Sequence, residues 1–486
     1  MSSYFSDLAQ QYIDGAWRPG TGSWDVIDFN PYDDEKLASI TVATVDEVDQ
    51  AYRAAARAQK QWAETNPYTR RAVLERALRL IEDREQEIAD LIIAELGGTR
   101  VKAGFELHLA KEFLRESIHL ALRPEGRILP SPADGKENRV YRVPVGVVGV
   151  ISPFNFPFLL SLKSVAPALA LGNGVVLKPH QNTPIAGGTL IAKIFEDAGL
   201  PGGLLNVVVT DIAEIGDAFL EHPVPKVISF TGSDAVGRHV ATVCAKHFKR
   251  SVLELGGNSA LVVLDDADLD YAVDAAVFSR FVHQGQVCMA ANRVLVDASV
   301  ADEFTEKFVA KVRTLKTGDP RDPRTVIGPV INSQQAAALS GTVEQALAEG
   351  ATALVRGATE GNLVEPSVLT DVPAGSALLR QEVFGPVVFL IRFDGEEEAV
   401  RIVNDTPYGL SGAVHTGDIE RGVAFAKRID TGMFHVNDGT VHDEPLVPFG
   451  GEKHSGIGRL NGETTLEAFT TIKWISVQHG RSGFPF

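Results

Sequence analysis

The sequence has only two cysteines, Cys244 and Cys288, and three methionines among its 486 residues. Two cysteines cannot build the bridge framework of a disulfide-stapled secreted fold, so a reducing compartment is expected. The opening residues MSSYFSDLAQQ hold neither a basic segment nor an apolar one, and no signal peptide is read there. Bases are outnumbered, with 46 Lys and Arg against 63 Asp and Glu and a formal net charge of −17. A nucleic acid or an anionic membrane would select a basic face, so neither is expected as a partner. Long hydrophobic runs are missing. The most apolar stretch, 143–178, is broken by Pro144, Pro153, Pro157, Lys163 and Pro167, which excludes a membrane span. The chain reads as cytoplasmic.

Several chemical signatures are also missing. There is no HExxH, Walker A loop, CxxC pair or GxSxG elbow, so zinc protease, P-loop, dithiol and serine hydrolase chemistries have no anchor. No metal site is expected.

What is present fits a globular protein: 44% hydrophobic and 22% charged residues, in a length that suits roughly two to four domains. The N-terminal third reads as helical. Thr44 and Glu47 have capping-box spacing before a stripe of Val48, Ala51, Ala55, Ala58 and Trp62. A long helix over about 69–96 carries Leu74, Leu78, Ile81, Ile88, Leu91 and Ile92 and stops at Gly97-Gly98.

From 145 onward, short apolar runs alternate with helical periods. The expected strands are Val145–Ile151, Val175–Leu177, Asn206–Val209, Lys226–Phe230 and Val252–Leu255, with helices near 159–171, 184–198, 211–220 and 234–247. Such alternation implies a parallel sheet covered on both faces, a Rossmann-like dinucleotide fold. A second α/β series follows: strands at Ala260–Leu264, Arg293–Val296, 363–370 and 386–392, with a helix at 299–315. The division between the two is expected near Gly256-Gly257. The tail Thr470–Val477 reads as a strand with no local hairpin partner. It is suited to pairing with another subunit, or equally to a sheet edge in its own chain.

Four places could carry chemistry. Gly232-Ser233-Asp234-Ala235-Val236-Gly237 follows a strand and opens a helix, where free N–H groups favour a phosphate. The three-glycine fingerprint is absent, and a bare turn explains it as well. Cys288 is either a nucleophile or a small buried hydrophobe. Glu254 ends an apolar strand, so its carboxylate is either paired or held protonated for use. Asn155 sits in a loop at a strand's carboxyl end, where open α/β sheets bind ligands; its amide is suited to an oxyanion or to stabilising a turn. His283 precedes Cys288 by five residues, but no orienting third member accompanies it, and a core or solvated histidine is the expectation.

These pieces, in this order, resemble the aldehyde dehydrogenases over nearly the whole chain. The matching segments are Phe-Asn-Phe-Pro at 154–157, Gly-Asn-Gly to Lys-Pro at 172–179, Phe-Thr-Gly-Ser at 230–233, Leu-Glu-Leu-Gly-Gly at 253–257, Gly-Gln-Val-Cys at 285–288, Glu-Val-Phe-Gly-Pro at 382–386, Asn-Asp-Thr-Pro-Tyr-Gly-Leu at 404–410 and Pro-Phe-Gly-Gly at 448–451. The resemblance implies that Cys288 is the nucleophile, Glu254 the base for hydrolysis of the thioester, and Asn155 with the backbone N–H of Cys288 the oxyanion hole. It implies NAD or NADP as cofactor. Lys178 would hold the adenosine ribose, Gly232 and Ser233 the pyrophosphate, Val236 the adenine, and Glu382 and Phe384 the nicotinamide half. Ser152, Phe154, Gln181, Gly237 and Leu255 complete the expected dinucleotide site.

It further implies an NAD(P)-binding domain from 1–120 and 143–255, a catalytic domain over 256–455, and an oligomerisation element from 121–142 and 462–486. A homodimer or homotetramer is therefore expected. Within the family the segments 161–167 and 435–445 are similar to the benzaldehyde and vanillin dehydrogenase branch. A small aromatic aldehyde is the expected substrate, with Phe156, Phe158, Leu159, Val287 and Met289 lining its pocket.

Three positions depart from the family pattern. Gln181 stands where strictly NAD-dependent members carry an acid, so NADP stays open. The usual Trp-Lys pair is Lys163-Ser164, which leaves a proton relay through that lysine open. Phe154 replaces the usual tryptophan. Rival readings are a CoA-acylating or aliphatic aldehyde dehydrogenase, or a non-catalytic binding protein of the same fold. The first tends to lack the base that Glu254 would be; the last would not require Cys288.

Overall fold

The computed structural model describes residues 2–486. Two large sheets carry the molecule. The first has eight strands in the order Ala16–Arg18, Gln11–Ile13, Leu205–Val207, Gly174–Lys178, Val147–Ile151, Val227–Thr231, Arg250–Glu254, Gly456–Ile457. Its central members run parallel, and the strands beyond Leu205–Val207 and Arg250–Glu254 pair antiparallel. Strand order reverses at Val147–Ile151: successive strands lie to one side through 174 and 205, then to the other through 227 and 250. Parallel strands that switch direction leave a crevice at their carboxyl ends. These ends are Ile151, Lys178, Thr231 and Glu254.

The second sheet has seven strands, in the order Thr352–Val355, Ser367–Thr370, Val387–Phe393, Ala291–Asp297, Ser259–Val263, Gly412–His415, His435–Val436. All its pairs are parallel except the first. Gly256 and Gly257 lie between the strand Arg250–Glu254 of the first sheet and Ser259–Val263 of the second.

The expected elements are present with four revisions. The strand expected over 363–370 is two: Leu363–Val364, paired with Thr359–Glu360 in a separate small sheet, and Ser367–Thr370 in the second large sheet, with Pro366 between them. The helix expected over 69–96 is two, Pro67–Asp83 and Glu85–Leu96, separated at Arg84 (φ −111°, ψ 17°). Glu85 and Glu87 suit the first turn of a new helix, where the dipole favours acids. The helix expected over 184–198 opens as a π turn, Ile185–Thr189, before Leu190–Asp197. Gly188 packs there against Pro179, where a side chain would collide, and Gly187 fits tightly against Pro157. The stretch 211–220 is two short helices, Ile212–Ile215 and Ala218–Glu221, divided at Gly216 with φ 50°.

The tail strand Thr470–Gln478 pairs antiparallel with Lys136–Pro144 of its own chain, and Arg127–Leu129 completes a three-stranded sheet. The same-chain alternative thus holds for one edge of the tail. Its other edge is free, and Ile128, Tyr141, Ile472, Trp474 and Ile475 are exposed on this sheet. No helix among the described residues is long and apolar enough to cross a membrane.

Candidate active site

The loop Ser152–Phe156 leaves the central strand Val147–Ile151 and enters helix Pro157–Ala170. That helix has no side-chain cap of its own. The buried carboxylate of Glu106 substitutes, accepting the N–H groups of Phe158 and Leu159 at 3.0 and 3.1 Å. An acid at a helix N-terminus satisfies orphan donors and the dipole together. Glu106 in turn pairs with buried Lys102, whose ammonium lies 4.5 Å from the centre of the Phe156 ring. Asn155 is thereby fixed at the start of the helix, and its Nδ2 donates to the Gln286 carbonyl at 3.0 Å.

Cys288 approaches from the other side on an unusual loop. His283, Gln284 and Gly285 all have positive φ, 52°, 53° and 72°. Two consecutive non-glycine residues in this region are strained, at a cost of about 1–3 kcal/mol each. Buried bonds hold them: Gln284 Nε2 donates to the Pro329 carbonyl at 2.8 Å, Gln286 Oε1 accepts from Ile331 N at 3.0 Å, and Arg280 Nη2 donates to the Val383 carbonyl at 2.8 Å. His283 is buried with its ring edge-on to Phe156, and burial pushes its imidazole well below its ordinary pKa. It lines neither cavity described below, so the core-histidine reading stands. Gly257 packs against the Cys288 carbonyl with no room for a side chain.

Two cavities meet at this place. The larger, about 500 Å³, runs along the carboxyl ends of the first sheet. Of the residues expected to bind a dinucleotide, Ser152, Phe154, Lys178, Gly232, Ser233, Val236, Leu255, Glu382 and Phe384 line it. The smaller, about 40 Å³, is walled by Phe105, Leu109, Phe156, Leu159, Val287, Met289 and Phe449 among others. Asn155, Leu160, Thr231, Glu254 and Cys288 line both. They form the junction.

Three expectations are corrected. Gln181 is exposed and outside the lining; the turn after Pro179 carries it away, and His180 takes the place in the wall. Gly237 is also outside, its missing side chain making room for Leu255. Phe158 is fully buried in the core and lines neither cavity. One step along a helix turns the side chain by about 100°, so Phe158 points into the core while Leu159 meets the chamber. Several lining residues carried no sequence signal, namely His180, Asp211, Phe219 and Gln335 in the larger cavity and Phe105 and Leu109 in the smaller; Asp443, also in the smaller, belongs to the segment 435–445 read from the resemblance.

The larger cavity suits a dinucleotide. Helix Asp234–Lys246 points its N-terminus into it, with Ser233 as cap. Ile212 and Val236 present exposed apolar surface in the wall, a shelf for a flat base. Lys178 supplies a donor deep in the cleft, and the buried Ser152 hydroxyl lacks a protein partner. Gly256 packs on the Glu382 carboxylate, which accepts Gly257 N–H at 3.0 Å. The ring edge of Phe384 meets Phe154 at 5.8 Å.

The electrostatics of the junction are those of a dry site. Burial pushes Glu254 up to about 8, opposed by Lys163. Burial, then Glu382 and Glu254, push the Cys288 thiol up to about 12. Glu382 is raised to about 7, again chiefly by burial. Neither oxygen of Glu254 has a hydrogen-bond partner within the protein. A buried carboxyl without a partner is costly to ionise, and an available proton acceptor when it does. Lys163, which the sequence left open, places Nζ 2.6 Å from Asp443 Oδ2 in the smaller cavity. The other cysteine, Cys244, is buried away from both cavities with its thiol pushed up to about 11.

The model of the aldehyde dehydrogenase family matches residues 17–475. The chain is 61% identical to the benzaldehyde dehydrogenase YfmT of Bacillus subtilis over 482 residues, 99% of each chain. It is 49% identical to a vanillin dehydrogenase of Corynebacterium glutamicum, covering 97% of this chain and 98% of that one. The crystal structure of an NAD-dependent benzaldehyde dehydrogenase from Corynebacterium glutamicum superposes with a TM-score of 0.90 at 46% identity, covering 97% and 99%. A nucleotide-sized crevice, a half-buried cysteine and a buried carboxyl at its inner end, and matches along the full length agree: the chain belongs to the aldehyde dehydrogenase family.

Proposed function

We propose that the protein oxidises a small aromatic aldehyde to its carboxylate with NAD as electron acceptor, through a thioester on Cys288. One observation carries the proposal: Cys288, Glu254 and Asn155 line both a dinucleotide-sized cleft and a small apolar chamber, at the point where these meet. The names of the relatives support benzaldehyde-like substrates, and the aromatic wall of the chamber suits a ring.

Lys178, Gly232, Ser233, Val236, Glu382 and Phe384 would hold the cofactor, with the nicotinamide end beside Cys288. The bound nicotinamide supplies the hydride acceptor and a positive ring charge near the sulfur. Cys288 Sγ releases its proton to solvent through water in the cleft and adds to the carbonyl carbon, forming a C–S bond as the C=O π pair moves onto oxygen. Asn155 Nδ2 and the Cys288 backbone N–H donate to the oxygen that becomes negative. Fixed donors in a water-poor site stabilise such charge without reorganising. Loss of hydride from the carbon re-forms the C=O and leaves an acyl group on sulfur. Glu254 then takes a proton from water as its oxygen attacks; the C–S bond breaks, the departing sulfur takes that proton from Glu254 to restore the thiol, and the acid leaves.

Asp211 favours NAD over NADP in this reading. It lines the same cleft as Lys178, whose pKa burial lowers and the Asp211 charge partly restores, and would repel a 2′-phosphate. The proposal includes a division at Gly256-Gly257 into a dinucleotide-binding part (1–120 and 143–255) and a catalytic part (256–455). It also includes a homodimer or homotetramer built on the three-stranded sheet, working in the cytoplasm. The test is a panel of benzaldehydes and straight-chain aldehydes with each cofactor. Benzaldehydes with NAD should give the highest kcat/KM; a preference for straight chains would overturn the substrate assignment.

A further inference from the structure

Inside the apolar chamber stand two groups of opposite charge. The Lys163 and Asp443 side chains are 3% and 7% exposed, on a wall otherwise made of hydrocarbon, the junction residues and His442. An ion pair withdrawn from water adds little stability, because desolvation offsets its attraction, and apolar residues of similar volume commonly do as well or better. Stability therefore gives no reason for it.

The bonding of the pair is lopsided. Asp443 is fixed from behind, its Oδ1 accepting Asn461 Nδ2 at 2.8 Å; that amide also bonds the carbonyls of Glu444 and Val447. Lys163 has three donors and gives one to Asp443. Its other close contacts are ring faces, Phe449 at 3.8 Å and Phe113 at 4.8 Å from the centroids; the Glu254 carboxyl on the same wall feels its charge but makes no hydrogen bond with it. Ring faces attract the charge but bond N–H groups only weakly. The chamber thus has a spare donor on Lys163 beside a spare lone pair on Asp443 Oδ2. The neutral group that uses both at once is a hydroxyl.

We propose that Lys163 and Asp443 form a subsite for a hydroxyl group on the ring of the aldehyde, so that hydroxylated benzaldehydes are selected over alkylated ones. This rests on the chamber being the aldehyde's. A methyl group in the same place would leave the spare donor of Lys163 and the spare lone pair of Asp443 unused and cut off from water. A hydrogen bond to a charged group corresponds to discrimination of about 10- to 100-fold.

The experiment compares hydroxybenzaldehydes, with the group ortho, meta or para, each against the methylbenzaldehyde of the same pattern. In the wild-type enzyme at least one position should show the hydroxyl compound ahead in kcat/KM by about 10-fold or more. In the double variant Lys163→Met, Asp443→Leu, which removes both charges together, that ratio should fall toward one. Intrinsic reactivity cancels when the ratios of the two proteins are divided. A wild-type ratio near one at every position overturns the proposal without needing any variant. So does a variant that slows all substrates alike with its ratio unchanged, which would assign the pair to the chemistry at Glu254. If the wild type oxidises straight-chain aldehydes but no benzaldehyde, the aromatic reading itself has failed, and this proposal with it.

Discussion

Asn155 Nδ2 donates to the carbonyl of Gln286 at 3.0 Å, joining the loop that leaves the first sheet to the loop that carries Cys288. One amide proton of Asn155 is committed to this bond and the other is left for a substrate oxygen. Asn155→Ala should therefore slow the first turnover itself, by about 10²–10³-fold. Rapid-mixing measurement of NADH formation checks this; an unchanged burst would remove Asn155 from the oxyanion hole.

Glu254 sits where only its ionised form can accept a proton from water, and burial raises it to about 8. Its base form is scarce at pH 6 and predominates above about 8, so steady-state turnover should rise across that interval and then level. Glu254→Gln should keep the burst, lose about 10²–10⁴-fold in steady turnover, and flatten the pH profile. The same shift bears on stability. A carboxyl raised on folding costs nothing below its ordinary range and penalises the folded state increasingly as pH rises to about 8. Melting curves should show Glu254→Gln gaining over wild type at pH 8 and matching it near pH 4.5.

The Cys288 thiol, pushed up to about 12, is a poor nucleophile in the cofactor-free protein. Alkylation by iodoacetamide at pH 7 should be slow, and should quicken at least several-fold when NAD is added. Equal rates would mean that the cofactor's charge does not reach the sulfur.

Asp211 faces the cleft near Lys178. Asp211→Asn should improve kcat/KM for NADP by roughly tenfold, since one repulsive charge is lost. Values for NAD should change little. Unaltered NADP kinetics would place the discrimination elsewhere.

Trp474 is 66% exposed on a strand with a free edge. A buried tryptophan at a subunit contact contributes about 2 kcal/mol or more. Trp474→Lys should shift the assembly to a smaller species by light scattering at micromolar concentration. The same mass for both proteins would move the contact to another face.

The sequence was readable where short-range pattern and chemistry coincide. Runs such as Val147–Ile151 and Val227–Thr231 announce buried parallel strands by composition, and the glycines at 256 and 257 mark where the chain passes from the first sheet to the second. Features set by distant packing were not readable. Lys163 and Asp443 lie 280 residues apart, and nothing local to either announces the other. Glu106 looks like an ordinary helical acid until its helix is packed beside Phe158 and Leu159. Phe158 and Leu159 are equally apolar, and only the angle of the helix decides which one meets the chamber. The left-handed backbone at His283 and Gln284 contradicts local preference, and buried partners from Pro329 and Ile331 over-determine it.

The pairing of the tail has a consequence for how the chain is made. Arg142 and Thr470 meet across 328 residues, so the strand Lys136–Pro144 emerges from the ribosome long before its mate exists. Until synthesis nears completion, that edge is open to neighbouring nascent chains, and its charged residues at 136, 137, 139 and 142 are the kind that discourage such pairing. Release of a chain shortened before residue 470 should yield an aggregating product, detectable by sedimentation, whereas loss of the last few residues after Gln478 should not.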